Sequence, residues 1–187
     1  MTVFVHIPRT AGTSFSNVTG IPGPHKPILY YVQKERKRLD KEVTVSIIRH
    51  PLDQIESWYW WDEYKYHKPF EEWVDLGFPI RWQTRFRCDG MPEGYPEPID
   101  QAGWIEIDGE RMVEHILRFE TLERDITWFC ESVLNIEPPK LHKYNQGSRR
   151  KQQTGTVWTP ETIEKVKPIV GDFAEKYGYE LWMEAIG

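Results

Sequence analysis

An α/β domain with a central, mostly parallel sheet flanked by helices is what this sequence predicts. Two short runs, Thr2–Ile7 (TVFVHI) and Val43–Ile48 (VTVSII), are β-branched and largely apolar instead of alternating, as strands covered on both faces are. Each is followed by a segment with helix signals, and strands separated by helices pair in parallel. The length agrees: 187 residues suffice for one domain with a proper core and are too few for two well-developed ones.

In chain order, Thr2–Ile7 is a strand closed by Pro8, and Thr13–Val18 opens a helix whose N-cap falls in a Thr/Ser cluster. GIPGPHKP, Gly20–Pro27, is a loop on its prolines and glycines. Tyr31–Leu39 is charged and reads as a surface helix, followed by the strand Val43–Ile48. Pro51 suits the first turn of a helix running to about Tyr64. From about residue 79 to 109 the chain is rich in Gly, Pro and aromatics without a steady period. Its Trp and Phe content reads as an ordered insertion over the active face, not as disorder. His115–Phe119 (HILRF) is a third strand, and Leu122–Leu134 an amphipathic helix with Ile126, Phe129, Cys130 and Val133 on one side. Residues 140–156 are polar and basic. Thr159-Pro160-Glu161-Thr162 caps and starts a last helix that reaches about Tyr177. With no internal repeat or low-complexity segment, residues 1–187 read as a single domain carrying the 79–109 insertion.

Composition narrows the function classes. A net charge of −5 argues against a general nucleic-acid binder, which would carry a basic excess. Local basic clusters still allow a small anion. Cys88 and Cys130 lie far apart, without a CxxC or a histidine at metal spacing, and read as reduced thiols instead of a disulfide or zinc site. No 18-residue apolar run and no basic-then-apolar leader is present, so no membrane partner is expected and a cytoplasmic location is the default.

Two clusters carry chemistry. HIPRTAGTSF, His6–Phe15, places a strand end, a tight loop with Gly12 and a helix N-terminus in succession. The first N–H groups of a helix lack intrahelical partners and sit at its positive end, so this arrangement suits an anion. Arg9 adds a full charge, and Thr10, Thr13 and Ser14 add hydroxyls. A plain capped turn with solvated Arg and Thr is the competing reading. The GxxxxGK[ST] spacing of a nucleoside-triphosphate loop is missing, so ATPase or GTPase chemistry is not signalled. In IIRHPLDQIESWYWW, Ile47–Trp61, Arg49 stands at the carboxyl end of a strand, where open α/β sheets bind ligands. Ser57 follows eight residues later on the helix that Pro51 opens, so a guanidinium and a hydroxyl can address one phosphate; Arg49 could also simply pair with an acid.

Together, HIPRTAGTSF and RHPLDQIESWYW resemble the signature segments of the sulfotransferases that use 3′-phosphoadenosine 5′-phosphosulfate (PAPS). The resemblance is to the carbohydrate branch that includes the heparan and chondroitin 2-O-sulfotransferases. Weaker echoes are RWQTRFRCDG (Arg81–Gly90), HILRFETLERDITWF (His115–Phe129) and TPETIEKVKPIVGDFAEKYGY, so the likeness touches most of the chain while only the first two segments are specific. It implies a P-loop-like sulfotransferase architecture, and a transferase moving a sulfuryl group from PAPS to an acceptor hydroxyl, on a sugar, a glycan or another small molecule. PAPS carries the reactive group, so no metal is implied, and the product is adenosine 3′,5′-bisphosphate (PAP).

Carried over position by position, Arg9, Thr10, Ala11, Gly12, Thr13 and Ser14 would wrap the 5′-phosphosulfate, and Arg49 and Ser57 the 3′-phosphate. Arg150 and Lys151, in the basic loop before the last helix, would close over the phosphates, although such a run is also what a solvated charge patch looks like. Arg9 stands where the family has a lysine: it stays cationic and can hold two oxygens, but it donates a proton poorly. A relative that binds PAPS, PAP or a glycan without catalysis is therefore the alternative. For the general base the matching residue is His25, in Pro24-His25 where the family has Gly-His; His50 and His67 are rivals, and His6 reads as structural. The aromatic middle of the chain offers faces for a sugar or a flat apolar acceptor, and no spacing selects among Asp62, Glu63 and Lys65 for its hydroxyls.

Overall fold

A computed structural model describes residues 1–61, 68–79, 96–97, 99–138 and 157–181. The chain forms two compact units, Met1–Arg49 with Gly94–Asn145, and His50–Glu93 with Gln146–Gly187.

The first unit holds a small parallel sheet with helices, as the α/β reading requires. Its strands β1 (Thr2–Val5), β2 (Val43–Ile48) and β5 (His115–Arg118) lie in the order β1-β2-β5, with Val5 opposite Ser46 and Ile48 opposite Arg118. Both pairings are parallel, so all three strands deliver their carboxyl ends, and the loops that follow, to one edge of the sheet. The core is built from Phe4 of β1, Val45 and Ile47 of β2, Leu117 of β5, Phe15 of helix α1 (Gly12–Thr19), and Ile126, Phe129 and Cys130. The last three sit on α7 (Leu122–Phe129) and the π-helical turn Cys130–Leu134 that prolongs it, and Val133 packs against the same cluster. The amphipathic stripe expected over Leu122–Leu134 is thus the buried face. Ser46, fully buried on β2, donates its hydroxyl to the Val5 carbonyl at 2.7 Å, which satisfies a polar group the strand pattern would otherwise strand in the core.

Three local details differ from the sequence expectations. The charged helix expected over Tyr31–Leu39 starts earlier and is two pieces, α2 (Ile28–Lys34) and α3 (Arg36–Leu39). The break is at Glu35, whose φ is −128° and whose carboxylate pairs with Arg38 at 3.1 Å and Lys26 at 3.6 Å. No Thr or Ser side chain caps α1; its N-cap is Ala11, in the left-handed region at φ 68°. Within the stretch read as an insertion, Asp100 caps a short helix α6 (Gln101–Ile105), and a two-strand hairpin follows, β3 (Glu106–Ile107) with β4 (Glu110–Arg111). Asp108 and Gly109 take φ 52° and 77°, the paired left-handed conformation of a tight hairpin turn, so the Asp-Gly dipeptide was a legible signal there.

The second unit contains α4 (Pro51–Trp61), α5 (Phe70–Asp75) and α8 (Pro160–Tyr177). Ile55, Trp58 and Tyr59 are buried on the inner face of α4. Tyr59 meets Phe70 at 5.1 Å and Trp73 at 5.4 Å between ring centres, and Phe70 meets Trp158 at 4.8 Å, so aromatic rings fill this core. Helix α8 has the expected start: the Thr159 hydroxyl accepts from the Thr162 N–H while the Thr162 side chain returns the bond. Its apolar residues Ile163, Val166, Val170 and Phe173 recur at helical spacing and are buried. Among the described residues no helix is long and apolar enough to cross a membrane.

Candidate anion site at the carboxyl edge of the sheet

The loop after β1 turns sharply and leads straight into α1. Arg9 and Ala11 both adopt the left-handed conformation, at φ 66° and 68°, a backbone state costing roughly 1–3 kcal/mol for each such residue. Between them Thr10, fully buried, donates its hydroxyl to the Ile7 carbonyl at 2.9 Å and closes the turn. The Thr10 hydroxyl, read from sequence as part of a ligand cradle, therefore serves the loop. The first backbone bond of α1 runs from the Phe15 N–H to the Ala11 carbonyl at 3.2 Å, so the N–H groups of Gly12, Thr13 and Ser14 precede the helical ladder. The Thr13 side chain is exposed and Ser14 is buried beside these donors. Loop curvature and helix polarity together concentrate positive potential at this point.

Arg49, the residue after β2, arrives at the same edge. Its guanidinium Nη1 donates to the Arg9 carbonyl at 3.2 Å, and the group lies over the Phe119 ring at 4.1 Å. Its backbone is clamped by one amide: the Arg49 N–H donates to Gln101 Oε1 at 2.9 Å and Gln101 Nε2 donates to the Arg49 carbonyl at 2.7 Å. Arg49 and Gln101 are 4% and 1% exposed, so this reciprocal pair holds the strand end in a dry setting. Arg9 feels both effects: burial first, then the Arg49 charge, bring its guanidinium down to about 10. It remains a cation at neutral pH, with a second cation held against it.

Two imidazoles adjoin the cradle. His6 follows β1 directly, and its Nδ1–H donates to the Gly23 carbonyl at 2.7 Å. The His25 Nδ1–H donates to the His6 carbonyl at 3.1 Å, and the two rings lie 4.0 Å apart. A carbonyl only accepts, so both bonds require the proton on Nδ1 and leave the Nε2 lone pair on each ring. Burial, reinforced by the neighbouring His25 charge, lowers His6 to about 3 against the opposing bond to Gly23. Burial lowers His25 as well, against its bond to His6, so it is a neutral base at physiological pH. Gly12 completes the contact: a Cβ there would stand 2.0 Å from His6 Cδ2, so only glycine lets the cradle lie this close to the imidazole.

The structure thus brings Arg9, Thr10, Ala11, Gly12, Thr13, Ser14, Arg49 and His25 to one edge of the first unit. Ser57 belongs to the second unit, buried on α4. His50 is also there, donating Nε2–H to the Glu180 carbonyl at 2.8 Å and meeting the Tyr179 ring edge-on, a tie for the segment after α8. Arg150, Lys151, Asp62, Glu63, Lys65, His67 and the RWQTRFRCDG stretch lie outside the described residues. Gln101, Phe119 and the active part of His6 were not legible as site residues. Gln101 and Phe119 acquire their roles only by approaching Arg49 across the sheet edge. His6 had one usable signal, its place directly before the cradle. Among the described residues no group of three or more His, Cys, Asp or Glu is placed to hold a metal ion. Set against protein-family models, curated proteins and solved structures, the chain matches none.

Proposed function

We propose that this chain is a cytoplasmic PAPS-dependent sulfotransferase of P-loop-like architecture, transferring a sulfuryl group to an acceptor hydroxyl on a sugar or glycan. The observation that carries the reading is the convergence of Arg9 and Arg49 at the N-terminus of α1, with the neutral His25 one imidazole away. Like charges held together in a largely buried place favour an anionic ligand, because an anion relieves their repulsion. The donor set is of the right kind for a phosphosulfate: two guanidinium groups, the N–H groups of Gly12, Thr13 and Ser14, and the Thr13 and Ser14 hydroxyls. The nucleotide and the sugar acceptor come from the resemblance of HIPRTAGTSF and RHPLDQIESWYW.

PAPS, when bound, supplies an activated sulfuryl group whose sulfur–oxygen bond to the 5′-phosphate breaks as the acceptor oxygen bonds to sulfur. Arg9 and the α1 N–H groups stabilise the negative charge that grows on the departing phosphate oxygen. Arg9 does this as a fixed cation and not as an acid, since even at about 10 its guanidinium gives up no proton at neutral pH. His25 takes the acceptor hydroxyl proton on Nε2, a task worth roughly 10²–10⁴ in rate when the base is well placed. Arg49, clamped by Gln101 and stacked on Phe119, presents a guanidinium of set direction for the 3′-phosphate.

Calorimetry with PAP, ATP and GTP tests the ligand class. Selective binding of PAP, abolished by Arg49→Ala, is expected; unchanged affinity in that variant would sink the assignment. The non-catalytic alternative is decided by labelled PAPS: if wild type transfers nothing to any acceptor and Arg9→Lys does, the chain is a binder that lost its lysine.

A further inference from the structure

We propose that His6 is the positioning residue for the general base, holding His25 in one place and one tautomer. The inference rests on the role given to His25 above and adds a residue that makes no use of the donor or acceptor itself. Three contacts support it. The His6 carbonyl accepts the His25 Nδ1–H at 3.1 Å, which forces the lone pair of a neutral imidazole onto Nε2, the atom that must receive the proton. The His6 ring lies 4.0 Å from the His25 ring and limits its tilt from one face, while Trp104 meets His25 edge-on at 6.5 Å. The His6 Nδ1–H donates to the Gly23 carbonyl at 2.7 Å, two residues before His25, and so ties down the Gly20–Pro27 loop that carries the base.

The same ring is fixed from behind. It stacks on Phe4 of β1 at 5.2 Å and abuts Gly12, so the base is referenced to the sheet and to the anion cradle together. A loop histidine held only by its own backbone would wander. His6 directly follows β1, which is paired along its length to β2, so it holds the base from the sheet and not from a loop. His6 is 7% exposed, so its ring is a packed part of this edge and not a solvent-facing side chain.

The test uses the full chain in two independent ways. Nitrogen-15 imidazole spectra of the ligand-free protein are expected to show both His6 and His25 as the Nδ1–H tautomer at pH 7.5. A proton on Nε2 of either ring overturns the proposal. His6→Phe keeps a ring in the stack and removes the donor to Gly23, whereas His6→Asn restores a side-chain N–H near the position of Nδ1. His6→Phe is expected to blur the His25 tautomer signal and to lower kcat about 10- to 100-fold, with KM for PAPS within about twofold, as for a base displaced by a fraction of an ångström to an ångström. His6→Asn should restore the single His25 signal and most of the rate. Equal behaviour of the two variants, whether both intact or both impaired, overturns the donor role, and if His6→Phe does not fold, the wild-type spectra and His6→Asn decide. The spectra need neither PAPS nor an acceptor. A failed functional reading would show instead as absent PAP binding with the tautomers as described.

Discussion

Replacing Gly12 by alanine puts a single methyl group against the His6 ring, which packs between the loop after β1 and His25. The new Cβ would stand 2.0 Å from His6 Cδ2, 2.1 Å from Nε2 and 2.7 Å from Cγ, where ordinary contact is 3.4–4 Å. The ring must withdraw by more than an ångström, yet Phe4 and His25 occupy its surroundings at 5.2 and 4.0 Å and the Gly23 carbonyl holds it at 2.7 Å. Overpacking of this kind costs about 1–3 kcal/mol, and breaking the bond to Gly23 adds about 0.5–1.5 kcal/mol. Alanine in place of a helical glycine returns about 1 kcal/mol through propensity. The clash outweighs the propensity, and the net loss is about 2 kcal/mol, or a melting temperature lower by roughly 4–8 °C in a chain of this size. Urea unfolding of Gly12→Ala, alone and in a His6→Ala background, is the assay. In the second background the clash is gone, so the same substitution should be neutral or mildly stabilising, and the difference between the two costs is the coupling energy. A Gly12→Ala protein within about 0.5 kcal/mol of wild type, or an equal cost in both backgrounds, would refute the reasoning, since propensity and clash would then have been misjudged.

Gln101→Leu removes both partners of the buried Arg49 backbone; a loss of about 2–4 kcal/mol in urea unfolding, with weaker PAP binding, is expected from two unsatisfied groups. His6 is neutral in the fold and titrates near its ordinary value when unfolded, so between pH 6.5 and about 3 the unfolded chain binds the extra proton. Stability from this group is complete above pH 6.5 and falls as the pH drops: about 2 kcal/mol is lost between pH 7.5 and 5, a part that His6→Asn should lack when unfolding is compared at the two pH values. Pro168 is exposed inside α8 and lacks the N–H that would bond back along the helix; Pro168→Ala should raise stability by about 1–3 kcal/mol in a thermal melt. Thr159→Ala opens the capping box at the start of the same helix and should cost about 1 kcal/mol, read from urea midpoints.

Chain order alone carried the strands and the long helices. The run VTVSII coincides with β2, and the Thr-Pro-Glu-Thr start and the Tyr177 end of α8 coincide with the structure, because strand period, caps and proline positions are local properties. The strand–turn–helix succession was legible for the same reason: a strand end, a glycine and a helix start follow one another within six positions, and Arg9 lies among them. What was not local was not legible. Ala11 as N-cap depends on a left-handed residue that no side-chain preference announces, and Thr10 turned inward because the Ile7 carbonyl needed a donor in a dry turn. Arg49 depends on Gln101, fifty-two residues later and in no motif, and on Phe119, which lies in a weakly resembling stretch that assigns it no role. His6 reads as one more residue of a strand until nearby Gly12 and the more distant Gly23 and His25 are folded against its ring and carbonyl. Local sequence decided which groups this edge of the sheet would offer. Tertiary packing decided their partners, and with them which nitrogen of each imidazole keeps its lone pair, because hydrogen-bond direction is fixed only by what lies opposite.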